Sequence, residues 1–248
     1  MGTLQLAPST GTPTYRWRWG WPALAGAAAL ANLTFVARPL VGSVLSPVST
    51  EISALSVAGQ PLAWLFRTGD AAFGVGTALL AIGVAAHPAA WRPPRSRRTA
   101  RVPVDGRGWD AARVLTAGLA VSGVGNVLAA AVPETSTWDA GRGDLFGSPA
   151  DLVHGAASLL AGSGLVVGAV ACATGLARSD RDGRPRTVAL AVGLGVALVG
   201  SSVAEAVGAV LGDVPGSGAV QRAQVIGSSV WTVLVGVLVG RVREGPPG

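Results

Sequence analysis

The chain has 248 residues, half of them apolar and 13% charged, with a mean hydropathy of +0.49. Soluble domains carry roughly 25% charged residues, so this composition argues against a water-soluble globule and for one membrane-embedded unit. The net charge of +6 comes from 19 arginines and 13 carboxylates, with no lysine at all. This usage suggests a GC-rich bacterial genome. The arginines sit between apolar runs and not on one solvated face, which argues against a nucleic-acid binder.

A transmembrane helix needs about 20 residues to cross a hydrocarbon core of about 30 Å. Six stretches meet that length, at about 20–38, 62–86, 110–132, 151–177, 187–211 and 222–240. The expected fold is therefore all-α: a polytopic membrane protein with a single bundle of six transmembrane helices over 20–240. Residues 1–19 read as a disordered cytoplasmic tail and 241–248 as a second cytoplasmic tail. The first apolar run follows Arg16 and Arg18 and contains Ala29-Leu30-Ala31, like a signal peptide with its cleavage site. Five further spans in register with it argue that it stays in place as a helix.

Along the chain, Trp17, Trp19 and Trp21 flank the first span, and Trp91 and Trp109 lie at later boundaries as interfacial anchors. Span 1 carries Asn32, and the loop after it carries Glu51 and Ser53. Span 2 opens with Arg67 and Asp70, three residues apart and so able to pair on one helix face. The basic stretch Pro93-Pro94-Arg95-Ser96-Arg97-Arg98 reads as a solvated loop and a topology signal. Span 3 carries Asn126 and is followed by Glu134, Asp139, Arg142 and Asp144. Span 4 begins with Asp151, His154 and Ser158, span 5 holds Glu205, and span 6 starts with Arg222 and Gln224. The pairs Gly164 and Gly168, Gly208 and Gly212, and Gly236 and Gly240 suggest close helix packing within one bundle.

With a cytoplasmic N-terminus, fourteen arginines fall in inner segments against four outside, so both termini are expected in the cytoplasm of a bacterial inner membrane. In that orientation the polar residues within the spans gather in the outer half. Ionisable groups in a span are costly and face the bundle interior, which predicts a polar pocket on the extracytoplasmic side.

His154 and Ser158 lie one helical turn apart, so the histidine could activate the serine, with Asp151 or Glu205 orienting the ring. Glu205 has only apolar neighbours and needs a partner, a proton or a cavity; Arg222 is the nearest basic candidate in sequence. The candidate catalytic residues are His154, Ser158 and Glu205. Glu51, Ser53, Arg67, Asp70, Asn126 and Arg222 are the candidate ligand-binding residues. One cysteine, Cys172, and two histidines, His87 and His154, are too few for a disulfide or a three-histidine zinc site, so no metal and no cofactor is expected.

Glu51-Ile52-Ser53-Ala54-Leu55, Gln60-Pro61 and Trp64-Leu65-Phe66-Arg67-Thr68-Gly69-Asp70 stand at the first outer loop and second span. Val132-Pro133-Glu134 closes the third span, and Asp151-Leu152-Val153-His154-Gly155 opens the fourth. In these segments the chain resembles the bacterial six-helix membrane proteins of the domain of unknown function 998 family. The resemblance covers about residues 20–240 and implies the six-helix architecture without an established reaction. More distantly, the layout is similar to six-helix proteins associated with lipid remodelling and to intramembrane hydrolases of the ceramidase kind. Those hydrolases bind zinc through three histidines, an aspartate and a serine, a set this chain cannot supply. What carries over is a location: His154 with Glu51, Arg67 and Asp70.

The reading is a membrane protein that binds or remodels a lipid or cell-envelope component. Arg67 and Arg222 would hold a phosphate or carboxylate, and His154 or Glu205 would act as general base. The partners expected are membrane lipid and a lipid-like ligand, with no nucleic acid. The alternatives are a proton-coupled small-solute transporter, disfavoured by the apolar inner half, and a non-catalytic scaffold or accessory protein.

Overall fold

Backbone N–H and C=O groups have no water to bond in lipid, so a chain this rich in apolar residues and glycine satisfies them by forming helices. The computed structural model describes residues 19–43, 45–88, 110–135, 148–179, 185–211 and 216–241, with backbone only at 41, 178–179, 185–186 and 205–211. Most of both tails and the Pro93–Arg98 loop lie outside the described residues.

Six α-helices follow in order: α1 (Gly20–Asn32), α2 (Ala63–Ala86), α3 (Ala111–Ala131), α4 (Pro149–Ser179), α5 (Pro185–Leu211) and α6 (Ser217–Gly240). Between α1 and α2 lie a 3-10 segment, Thr34–Val41, and a 3-10 turn, Ser53–Ser56. All the regular structure among the described residues is helical. Five helices are long and apolar enough to cross a membrane, or six if α1 and the 3-10 segment count as one bent span. This is the character of a multi-pass membrane protein.

Two sequence boundaries need correction. The expected straight span 20–38 is broken after Asn32, and its two halves are bent by 41°. Pro39 has no N–H to return to the Phe35 carbonyl and steers Arg38 away from α geometry, so the chain tightens into 3-10 turns before it. The sixth helix starts at Ser217, five residues ahead of the expected 222, because Gly216 adopts a left-handed conformation (φ 95°) that lets the chain turn straight into it.

The helices pack as a ring in chain order, each on its sequence neighbours, and α6 closes the ring against α1. In lipid, apolar surface gives little drive for helices to associate, and close backbone approach supplies dispersion contact in its place. At the α3–α4 seam a Cβ on Gly118 would sit 2.6 Å from the Gly164 carbonyl oxygen. Gly236 packs with the same closeness on Trp21 and Ala25 of α1. Gly164, Gly168 and Gly236 therefore serve packing inside one bundle. Gly208 and Gly212 lie outside the described side chains.

The main core runs through the ring, with Leu80 and Val84 of α2, Leu115 and Leu119 of α3, Leu198 of α5 and Trp231 of α6 all buried. A smaller cluster of Phe35, Leu55 and Phe66, joined by Ile52 and Val225, lies under the loop between α1 and α2. That second cluster pins the loop over the end of the bundle where α2, α4 and α6 begin.

Candidate functional site

Antiparallel packing of α3 on α4 brings the residues just past α3 against the first turns of α4, and the site is built there. Ser148 accepts the backbone N–H of Asp151 at 3.1 Å and donates its hydroxyl to that carboxylate at 2.7 Å, a capping arrangement with Pro149 in the first turn. The Asp151 carboxylate also accepts from the Thr135 backbone N–H at 2.7 Å and from the Thr135 hydroxyl. Asp151 thereby fixes the residue that follows Glu134, and the Glu134 carboxylate reaches the ring of His154.

His154 is buried one turn further along α4. Its Nδ1 faces two carbonyls, Ala129 at 3.0 Å and Val132 at 2.9 Å, at the end of α3. Carbonyls only accept, so Nδ1 carries the proton and Nε2 is left to face Glu134 Oε1 at 3.5 Å. A lone pair opposite a carboxylate is repulsive. One proton shared between Nε2 and Glu134 turns the contact into an attractive one. Glu134 Oε2 is buried and has no hydrogen-bond partner.

Two further carboxylates stand within electrostatic range of the ring, Glu51 from the overlying loop and Asp70 from α2. Burial raises the pKa of Glu51 above the ordinary 4.5, with His154 and the Ser53 hydroxyl pulling the other way. Burial also raises that of Glu134, with the charge of Glu51 adding to it and His154 opposing. The Ser53 hydroxyl lies beside both carboxylates yet is buried without a hydrogen bond of ordinary geometry. Among the described residues, no group of three or more His, Cys, Asp or Glu is spaced to hold a metal ion.

Four sequence candidates thus share one end of the bundle: Glu51, Ser53, Asp70 and His154. Others are placed differently. The Arg67 Nε donates to the Ser56 carbonyl at 2.7 Å, and no Arg67–Asp70 ion pair forms among the described residues. Ser158 is exposed on the outer side of α4, and no hydrogen bond joins it to His154. The carboxylate that meets the imidazole is Glu134, whereas Asp151 caps α4 and holds Thr135. Asn126 donates to the Ser122 carbonyl of its own helix at 2.8 Å. Asn32 is buried and donates to Ser228 and Ser229 of α6. The Glu205 side chain lies outside the described residues.

Arg222 sits on the opposite flank of the loop. Its Nη1 donates to the carbonyls of Thr50 at 2.9 Å and Gly218 at 2.7 Å, and its guanidinium lies 6.0 Å from the centre of the Phe35 ring. The next residue after Thr50 is Glu51, so one short stretch of loop joins the cationic and acidic flanks. Gln221 adds a further tie by accepting the Ile52 backbone N–H. The residue that sequence reasoning gave too little weight was Glu134. Its signal was its position, directly after the proline that ends α3 and opposite the histidine that opens α4.

No family model, no curated protein and no solved structure matches this chain.

Proposed function

We propose that this membrane protein binds the polar head of a lipid or cell-envelope component in the pocket around His154, at the end of the bundle that the arginine distribution assigns to the extracytoplasmic side. The observation that carries the reading is the buried His154–Glu134 pair with its unpartnered Glu134 oxygen. A buried carboxylate oxygen without a partner costs about 1–3 kcal/mol or more, which a ligand hydroxyl or ammonium group offsets by donating to it. An apolar groove of about 350 Å³ between α1 and α2 supports the lipid reading. It is lined by Ala27 and Ala28 of α1 and by Ala72, Val75 and Leu79 of α2, an apolar seat of the kind an acyl chain takes.

For remodelling chemistry, the same pair supplies a general base. The Glu134 carboxylate takes a proton from a ligand hydroxyl at its unpartnered oxygen, while His154 Nε2 holds the shared proton against the other oxygen. No serine nucleophile is part of this reading.

The test is lipid retention. Wild-type protein is extracted in a mild detergent, and the bound lipids are identified by native mass spectrometry beside Glu134→Gln and His154→Gln. The expected result is a bound species on the wild type and its loss from both variants, each still folded by circular dichroism. Equal retention of that species by folded variants would sink the reading.

A further inference from the structure

The Arg222 guanidinium, at the start of α6, stands 6.0 Å from the centre of the Phe35 ring, and Arg38 lies one turn after Phe35 on the same 3-10 segment, so the two arginines are neighbours and their charges oppose one another. Among the described residues no carboxylate comes within ion-pair distance of either. An arginine does not relieve such repulsion by losing its proton, and an anion between the two would offset it. The donors that remain are arranged to receive one. Arg222 commits only Nη1 to the Thr50 and Gly218 carbonyls, which leaves Nε and Nη2 without a hydrogen bond to the described residues. Arg38 reaches the Ser43 carbonyl through Nη2 at a long 3.4 Å, and its Nε is buried with no partner. Phe35, buried beneath the Arg222 guanidinium, stiffens the seat without neutralising it. Arg67 contributes differently, because its Nε is spent on the loop carbonyl of Ser56.

We propose that Arg38 and Arg222 form an anion subsite that takes a phosphate group, separated from the acidic pocket around His154 only by the loop that carries Thr50 and Glu51. A guanidinium offers paired N–H donors to phosphate oxygens, a recognition that a single ammonium group cannot reproduce. The subsite deepens the head-group reading and rests on it: the ligand is a phosphate-bearing head whose hydroxyl or amino donors turn toward Glu134 and Glu51. The phosphate belongs either to a lipid or to a free phosphate compound.

The experiment uses the full chain in maltoside micelles, which carry no phosphate, with three probes: phosphatidylglycerol, diacylglycerol of the same acyl chains, and inorganic phosphate. Wild type is expected to bind phosphatidylglycerol more tightly than diacylglycerol. Arg38→Gln and Arg222→Gln are each expected to weaken phosphatidylglycerol binding by about tenfold or more and to leave diacylglycerol unchanged. Arg38→Lys, which keeps the charge but not the fork, is expected to recover only part of the loss. Competition by inorganic phosphate would identify a general phosphate site, and its failure to compete would identify a lipid phosphate. Both results uphold the subsite.

Equal wild-type affinity for phosphatidylglycerol and diacylglycerol overturns it, as does a folded Arg38→Gln that binds phosphatidylglycerol like wild type. Because Arg222 also ties down two carbonyls, an Arg222→Gln that does not fold leaves the decision to Arg38→Gln and the wild-type comparison. Glu134→Gln separates the two readings. If it abolishes binding while the arginine variants do not, the pocket stands and the subsite falls. If only the arginine variants lose binding, the subsite stands and the acidic pocket is not the head-group site.

Discussion

A single proton between His154 and Glu134 is the feature on which the chemistry of the site turns, and substitutions on its two sides should separate. Glu134→Gln keeps the shape and removes a buried charge, so its stability is expected to match or exceed wild type while ligand retention falls. His154→Ala strands the Ala129 and Val132 carbonyls at the end of α3. It should cost about 1–3 kcal/mol of stability as well as binding, and thermal unfolding in detergent reads the difference. Proton linkage gives a second prediction. Glu51 and Glu134 have folded-state values above the ordinary 4.5, so the folded protein holds protons that the unfolded chain releases. Stability from this source is complete below 4.5 and is lost as pH rises through the folded values. The contribution of Glu51 should therefore raise the melting midpoint as pH falls from neutral toward 4.5. Glu51→Gln should remove that part of the slope, and an unchanged slope would count against a buried Glu51.

Helix pairs show where residue spacing stops being informative. Spacing of three residues correctly put Arg67 and Asp70 on neighbouring positions of α2. It could not show that the Ser56 carbonyl, eleven residues earlier on a folded-back loop, lies closer to the guanidinium. Likewise, spacing put His154 and Ser158 one turn apart, yet the ring is turned inward to α3 while the hydroxyl faces out. Partners across a seam depend on helix register, and the register of α3 against α4 is set by glycine contacts that a pattern of apolar residues does not reveal. Gly118→Ala would drive a methyl into the Gly164 carbonyl and the Gly168 backbone. The expected loss is about 1–3 kcal/mol, with a matching loss of ligand retention as the Glu134–His154 contact opens. Gly162→Ala, on the partner helix α4 with no neighbour within 4 Å of the added carbon, should be neutral or slightly stabilising. Comparing the two melting midpoints checks the seam directly.

At the scale of the molecule, most of the architecture was legible. Apolar runs gave the helices α2 to α6 to within a few residues, because length and hydropathy alone decide what a bilayer accepts. The ring closure of α6 on α1 was not legible, since it depends on small-residue contacts such as Gly236 with Ala25, far apart in sequence. Sidedness is open to a simple test because the native thiol is silent: Cys172 is fully buried in the core. A membrane-impermeant maleimide should therefore leave wild-type protein unlabelled in intact cells. Ala58→Cys, at an exposed position of the loop over the site, should be labelled from outside the cell. Labelling only after the cells are lysed would reverse the assigned orientation and move the pocket to the inner face.

The break at the end of α1 has a consequence for the bilayer itself. Thirteen α-helical residues rise only about 20 Å, well short of a hydrocarbon core of about 30 Å. The 3-10 segment that follows leaves the helix axis at 41°, so it adds less height than its length. Hydrophobic mismatch at this edge of the ring is met by local thinning of the membrane. Head groups beside α1 and α2 then settle deeper than elsewhere around the protein, to the level of Arg38.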